Sequence, residues 1–155
     1  MKVVVQRVSQ ASVDVVNELG TIDPTFEPQQ IGPGFMLLVG VSDEDGEEQL
    51  SWLAHKILNL RVLKTTGKMN RSIKDIGGEI LSISQFTLFA DVRKGNRPSF
   101  VKAGKPEHAN ITWIKFNEAL RSGGVPVREG RFGTHMRVGL INDGPVTITI
   151  DTDNL

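Results

Sequence analysis

Strand-forming runs at both ends of the chain, with two helical stripes between them, restrict the fold more than any other feature. Val3 to Val8 and Ala11 to Val16 lie close together and are followed by a turn at Asn17-Glu18-Leu19-Gly20, which predicts an opening hairpin or meander. Met136 to Ile141 and Val146 to Ile150 predict two closing strands joined by Asn142-Asp143-Gly144-Pro145. Gly34 to Val41 reads as a buried strand, and Arg61-Val62-Leu63 and Glu79 to Phe86 as two more, separated by a Lys- and Gly-rich turn region from Lys64 to Gly78. Leu50, Leu53, Ile57 and Leu60 recur at helical spacing behind Glu47 and Glu48, whose charges favour a helix N-terminus. A second helix opens at Pro106, puts Ala109, Trp113, Phe116 and Leu120 on one core-facing stripe, and stops at Gly123-Gly124. Asp23 to Gln30, with two prolines and no periodicity, is a surface loop. The expected fold is α+β: a mostly antiparallel sheet curled toward a barrel, with two main helices packed on it.

At 155 residues the chain fits one domain, residues 1–155, able to bury roughly two thirds of its unfolded surface. Lys plus Arg equals Asp plus Glu at 18 each, so any contact with nucleic acid has to be local. The absence of cysteine excludes disulfides, thiolate metal sites and a cysteine nucleophile, and suits a reducing compartment. Arg7 comes too early for a signal peptide and no apolar run approaches a membrane span, so a cytoplasmic protein without membrane contact is expected. His55, His108 and His135 lack the spacing of a helical metal site, and neither a metal nor any other cofactor is expected.

Two segments fit poorly with packing alone. Ser84-Gln85-Phe86-Thr87-Leu88 sets polar groups in a row where a strand would alternate, and Asn142-Asp143-Gly144-Pro145-Val146-Thr147 puts a Gly-Pro directly before a β-branched run. Read from residues alone, Ser84 and Thr87 fit satisfied strand hydroxyls, Phe86 a core ring, Gly144-Pro145 a tight turn, and Arg7 an exposed or edge-strand charge. The alternative is a small-molecule site. A Gly-x-Ser-x-Gly elbow is missing, and no histidine or carboxylate sits in an obvious base position beside Thr87.

Val5-Gln6-Arg7-Val8, Gly67-Lys68-Met69-Asn70, Gly77 to Leu81, Ser84 to Leu88, Lys94 to Phe100 and Asn142 to Thr147 together resemble the D-aminoacyl-tRNA deacylases over nearly the whole chain. The resemblance implies a homodimeric enzyme that hydrolyses the ester joining a D-amino acid, or glycine, to the terminal adenosine of tRNA. It implies that Ser84, Gln85, Phe86 and Thr87 hold the aminoacyl-adenosine, with Ser84, Gln85 and Thr87 nearest the chemistry, Phe86 against the adenine and Met136 nearby. It also implies that Gly144-Pro145 is a cis peptide reaching the partner's pocket, where it rejects L-amino acids, and that Arg7 braces it. On chemical grounds Thr87 fits positioning of substrate or water better than covalent attack, with backbone amides stabilising the oxyanion and the ribose 2′-hydroxyl assisting.

Between Val92 and Pro106 the chain carries Arg93, Lys94, Arg97, Lys102 and Lys105 without an acid, a cluster suited to the phosphates of an acceptor stem or simply to solvent. Lys68 and Arg71 extend it. Three places depart from the family pattern: the longer Asp23 to Gln30 region, Thr134-His135 after Phe132-Gly133, and Lys64-Thr65-Thr66, which lacks the usual acids. The competing class is a non-catalytic nucleic-acid-binding module using the same basic loop, for which the pocket would be dispensable; a structural dimer with a relic pocket is a third.

Overall fold

The computed structural model describes residues 1–64 and 66–155, so part of the turn expected over Lys64-Thr65-Thr66 lies outside the described residues. The chain runs β1 (Lys2–Val15), β2 (Gln29–Ile31), β3 (Gly34–Gly40), α1 (Glu47–Asn59), β4 (Glu79–Ser84), α2 (Pro106–Ser122), β5 (Val127–Glu129) and β6 (Met136–Asp151). The sheet is ordered β2-β1-β3-β4-β5, with β6 on β1. It is mixed rather than mostly antiparallel: β1 pairs antiparallel with β2, β3 and β6, whereas β3-β4 and β4-β5 are parallel. Parallel neighbours need a crossover, and α1 and α2 are the two crossovers, which ties the helices to the parallel half of the sheet. The sheet curls until Arg128 of β5 donates to the Gln29 side chain of β2 at 3.2 Å, giving a nearly closed barrel.

The predicted opening hairpin is one long strand. Ser9 and Gln10 are exposed but do not turn the chain, because both halves of β1 find a partner in β6, from Lys2 opposite Asp151 to Val15 opposite Met136. For the same reason the two closing runs form one strand rather than a hairpin. Arg61-Val62-Leu63 makes no strand; Leu63 is held by an isolated bridge to Arg71. The strand from Glu79 ends at Ser84, and Phe86–Phe89 forms a 3-10 turn in which Leu88 donates to Gln85 O. The last short strand begins at Val127, where the run Val125 to Val127 was expected to end.

One core lies between sheet and helices, joining Val3, Val5, Phe35 and Leu37 to Leu53, Ile57, Trp113, Phe116 and Leu120, so both helical stripes face inward as their spacing predicts. A second fills the barrel with Val8, Ala11, Val13, Ile31, Met36, Leu81 and Ile83. No helix among the described residues is long and apolar enough to cross a membrane.

Candidate functional site

Where β4 ends, Ser84, Gln85 and Phe86 open onto a cavity of about 530 Å³. Its far wall is the β5-β6 connection and the start of β6, where Phe132, Gly133, Thr134, His135 and Met136 all line the space. Trp113 of α2 forms the floor, its indole N–H fixed by donation to Ser82 Oγ at 2.9 Å in the buried interior. Gly104 and Pro106 close one side, and Gly104 lies so near β3 that a Cβ there would stand 2.9 Å from Val41 O. The composition, apolar walls with a few convergent polar groups, is that of a small-molecule site.

Phe86 is not a core ring. It is 58% exposed at the cavity rim and meets Phe100 edge to face, with ring centroids 5.1 Å apart. Thr87 is exposed beside the rim, and its hydroxyl accepts from the Gln85 amide, so each of these side chains restrains the other. Among the described residues Thr87 Oγ1 has no hydrogen bond to a histidine or a carboxylate. Thr134 and His135, noted in the sequence as departures, prove to be cavity wall; their adjacency to Met136 was the available signal. Phe132 and Trp113 were missed, the latter because its helical stripe pointed to the core, which it also serves.

Arg7, Gly144 and Pro145 lie elsewhere. Arg7 is 5% exposed rather than a surface charge. From Gln6 opposite Thr147 the pairing jumps to Val8 opposite Asn142, so Asp143 to Val146 bulge out of β6 with Arg7 alone across from them. Arg7 spans that gap, its Nε donating to Asp143 O at 2.9 Å and its Nη1 to Val62 O at 2.8 Å. Gly144 has φ +129°, in the region that favours glycine, and an added Cβ would lie 2.7 Å from Arg7 Nη2. The Gly144-Pro145 peptide is cis. A second hollow of about 380 Å³ is lined by Arg7, Asp143 and Gly144 and shares no residue with the cavity at Ser84.

The basic loop borders the cavity through Ala103, Gly104 and Pro106, and its charges are not all unopposed. Asp91, one residue ahead of the run, bridges Arg93 at 2.6 Å, and the guanidinium's hydrogen bonds hold the Asp91 carboxyl far below the usual range. The Lys105 backbone N–H donates to Asp43 Oδ1 at 2.8 Å. Lys94, Arg97 and Lys102 are exposed, as are Val92 ahead of them and Val101 among them.

The model of the D-Tyr-tRNA(Tyr) deacylase family matches residues 4–151. The chain belongs to the D-aminoacyl-tRNA deacylase family. It is 83% identical over 155 residues to a D-aminoacyl-tRNA deacylase of Bifidobacterium longum subsp. infantis, covering 99% of this chain and 96% of the relative. It is 66% identical to that of Bifidobacterium adolescentis, covering 100% and 99%. Among solved structures it is similar to a c-Myc DNA unwinding element binding protein, with 41% identity, TM-score 0.84 and coverage of 98% and 99%. A structure described as a probable eukaryotic D-amino acid tRNA deacylase shares the fold at TM-score 0.77 and 19% identity, over 96% and 97% of the two chains. Within the deacylase family's frame, this chain separates its two distinctive motifs by placing Ser84 to Phe86 on one cavity and Gly144-Pro145 on a bulge outside it.

Proposed function

We propose that the chain is a hydrolase that cleaves the ester of D-aminoacyl-tRNA, and of mischarged glycyl-tRNA, at the Ser84-to-Thr87 cavity, acting as a homodimer. The observation that carries this reading is the separation of the two motifs. A Gly144-Pro145 bulge held on a buried arginine lines no part of its own chain's Ser84 cavity, and a second copy can receive it. The outer side of β6 supports the same arrangement, because a strand of 16 residues that among the described residues pairs with β1 alone presents a row of free backbone groups. In the receiving cavity a rigid backbone wall would exclude an L side chain by contact, while a D side chain points away and glycine has none to exclude.

Thr87 and Gln85 hold the substrate and a water, Phe86 packs on the terminal adenine, and Ser84 and Met136 line the amino-acid end. An aminoacyl ester is already activated, so backbone amides at the β4 end and the neighbouring 2′-hydroxyl suffice for attack by water. Arg97, Lys94 and Lys102, with the equally exposed Arg93 and Lys105, take the acceptor-stem phosphates. A nucleic-acid-binding module is the second reading, favoured by this loop and by the likeness to a DNA unwinding element binding protein.

The test is release of amino acid from matched D-tyrosyl-tRNA and L-tyrosyl-tRNA by the purified protein, with Thr87→Ala and Gly144→Ala beside it. Rapid hydrolysis of the D ester alone is expected. Thr87→Ala should keep measurable turnover, whereas a covalent nucleophile would lose it all, and Gly144→Ala should weaken discrimination. Survival of both esters with retained RNA binding would transfer the case to the binding module.

A further inference from the structure

Five consecutive residues, Phe132 to Met136, form one wall of the cavity, yet all but Met136, which opens β6, belong to a connection rather than to a strand or helix. A wall of that kind binds a ligand only as well as it is held. Its interior anchors are the Gly130 N–H donating to Ser82 O at 3.1 Å and the Val16 N–H donating to His135 O at 2.9 Å. Its outer anchor is Arg131. The guanidinium donates to Thr25 Oγ1 at 2.9 Å, to Thr25 O at 2.8 Å and to Asp23 Oδ2 at 3.4 Å, and lies over the Phe26 ring at 5.2 Å. The Arg131 carbonyl in turn accepts from Thr134 Oγ1 at 2.8 Å, so the residue that grips the loop also grips the wall.

The loop is built to be gripped. Asp23 Oδ1 accepts from the Thr25 N–H at 2.8 Å and from its hydroxyl at 2.6 Å, which turns the Thr25 carbonyl and Asp23 Oδ2 toward one guanidinium. Phe26 packs against the barrel core below. Three partners of different kind, two oxygens of Thr25, one carboxylate and one aromatic face, match the planar fork of arginine and would not be matched by lysine.

We propose that the Asp23 to Phe26 loop is a latch that, through Arg131, fixes the Phe132-to-Met136 wall in its substrate-receiving position. Arg131 is a positioning residue: it does not itself line the Ser84 cavity and acts through Thr134. Its loss lowers the fraction of molecules whose wall is ready, which raises the apparent dissociation constant by the reciprocal of that fraction and leaves the bound complex unaltered. The catalytic part of this inference rests on the deacylase reading above.

The experiment measures kcat and KM for D-tyrosyl-tRNA with the full chain and its Arg131→Ala, Arg131→Lys and Thr25→Ala variants, and follows hydrogen exchange at the Val16 amide. In Arg131→Ala, KM should rise by about five- to twenty-fold with kcat within about twofold. Arg131→Lys should restore little, Thr25→Ala should give a smaller rise in the same direction, and Val16 should exchange faster in all three. If Arg131→Ala does not fold, Thr25→Ala and Asp23→Ala decide by the same readouts. Unchanged KM and unchanged Val16 exchange in a folded variant would overturn the latch, as would a fall in kcat at constant KM. A wild-type chain that cleaves no D ester would overturn the deacylase reading instead, and Val16 exchange would still judge the latch.

Discussion

Replacing Arg7 by lysine should loosen the bulge that carries Gly144-Pro145, and the cost can be worked from two bonds. The guanidinium holds Asp143 O through Nε and Val62 O through Nη1, carbonyls from segments 81 residues apart in sequence, at 2.9 and 2.8 Å. A lysine ammonium at the same depth reaches one of them at most. Losing one charge-assisted hydrogen bond and leaving its acceptor partly buried costs about 2 kcal/mol. The positive charge stays, so the substitution isolates the fork geometry from the charge. For a chain of this size 2 kcal/mol lowers Tm by about 4–8 °C. The assay is thermal unfolding followed by circular dichroism, at one protein concentration throughout because a dimer's Tm depends on it. The same samples should show reduced preference for D-tyrosyl-tRNA over the L ester. A lysine variant with wild-type Tm would refute the idea that the two carbonyls are held by a single rigid fork, whatever its activity.

Trp113→Phe should cost about 1–2 kcal/mol in urea unfolding, since it leaves the fully buried Ser82 hydroxyl without its indole partner; adding Ser82→Ala should recover part of the loss. Gly130→Ala should depress D-tyrosyl-tRNA hydrolysis, because the new Cβ would stand 2.6 Å from Met136 Sδ and drive that side chain toward the cavity, and kinetics on the purified variant would reveal it. Arg97→Ala combined with Lys102→Ala should reduce the slope of log KM against log salt by about one to two without altering the D/L ratio. Asp23 has its carboxyl held below 3.8, chiefly by the Thr25 hydroxyl. It therefore contributes stability above that pH and loses it as pH falls through its lowered value, so the wild type should lose more stability than Asp23→Asn between pH 5 and pH 3, measured by urea titration.

The helices were legible because their partners lie within the same few turns: a stripe such as Ala109, Trp113, Phe116 and Leu120 states its own buried face. Strand partners were not. Val3 to Val8 and Ala11 to Val16 have the look of a hairpin, and nothing local says that both halves pair with residues from Met136 to Asp151 instead. The parallel pairing of β3 with β4 was equally hidden, although the intervening helix was read correctly. At the site, Ser84 to Phe86 stood out because polar residues interrupted an apolar strand. The opposite wall, Phe132 to Met136, carries no such break in pattern, and its role depends on where Arg131 is tethered. Arg7 was recognisable by resemblance alone, since its burial follows from a bulge in a strand more than a hundred residues later.

The β1-β6 ladder also sets an order of events at the ribosome. β1 emerges well before β6, the strand that covers it along its length, so while the elements between them are made one side of β1 has no mate. β3 follows soon after and covers Lys2 to Val8 on the other side, leaving a partial sheet with a long adhesive edge. Such pairings between remote segments form slowly because the loop they close is long. The nascent chain thus passes through a state in which any extended peptide nearby competes for the place of β6, and its yield depends on how quickly that sixteen-residue strand arrives to close the contest.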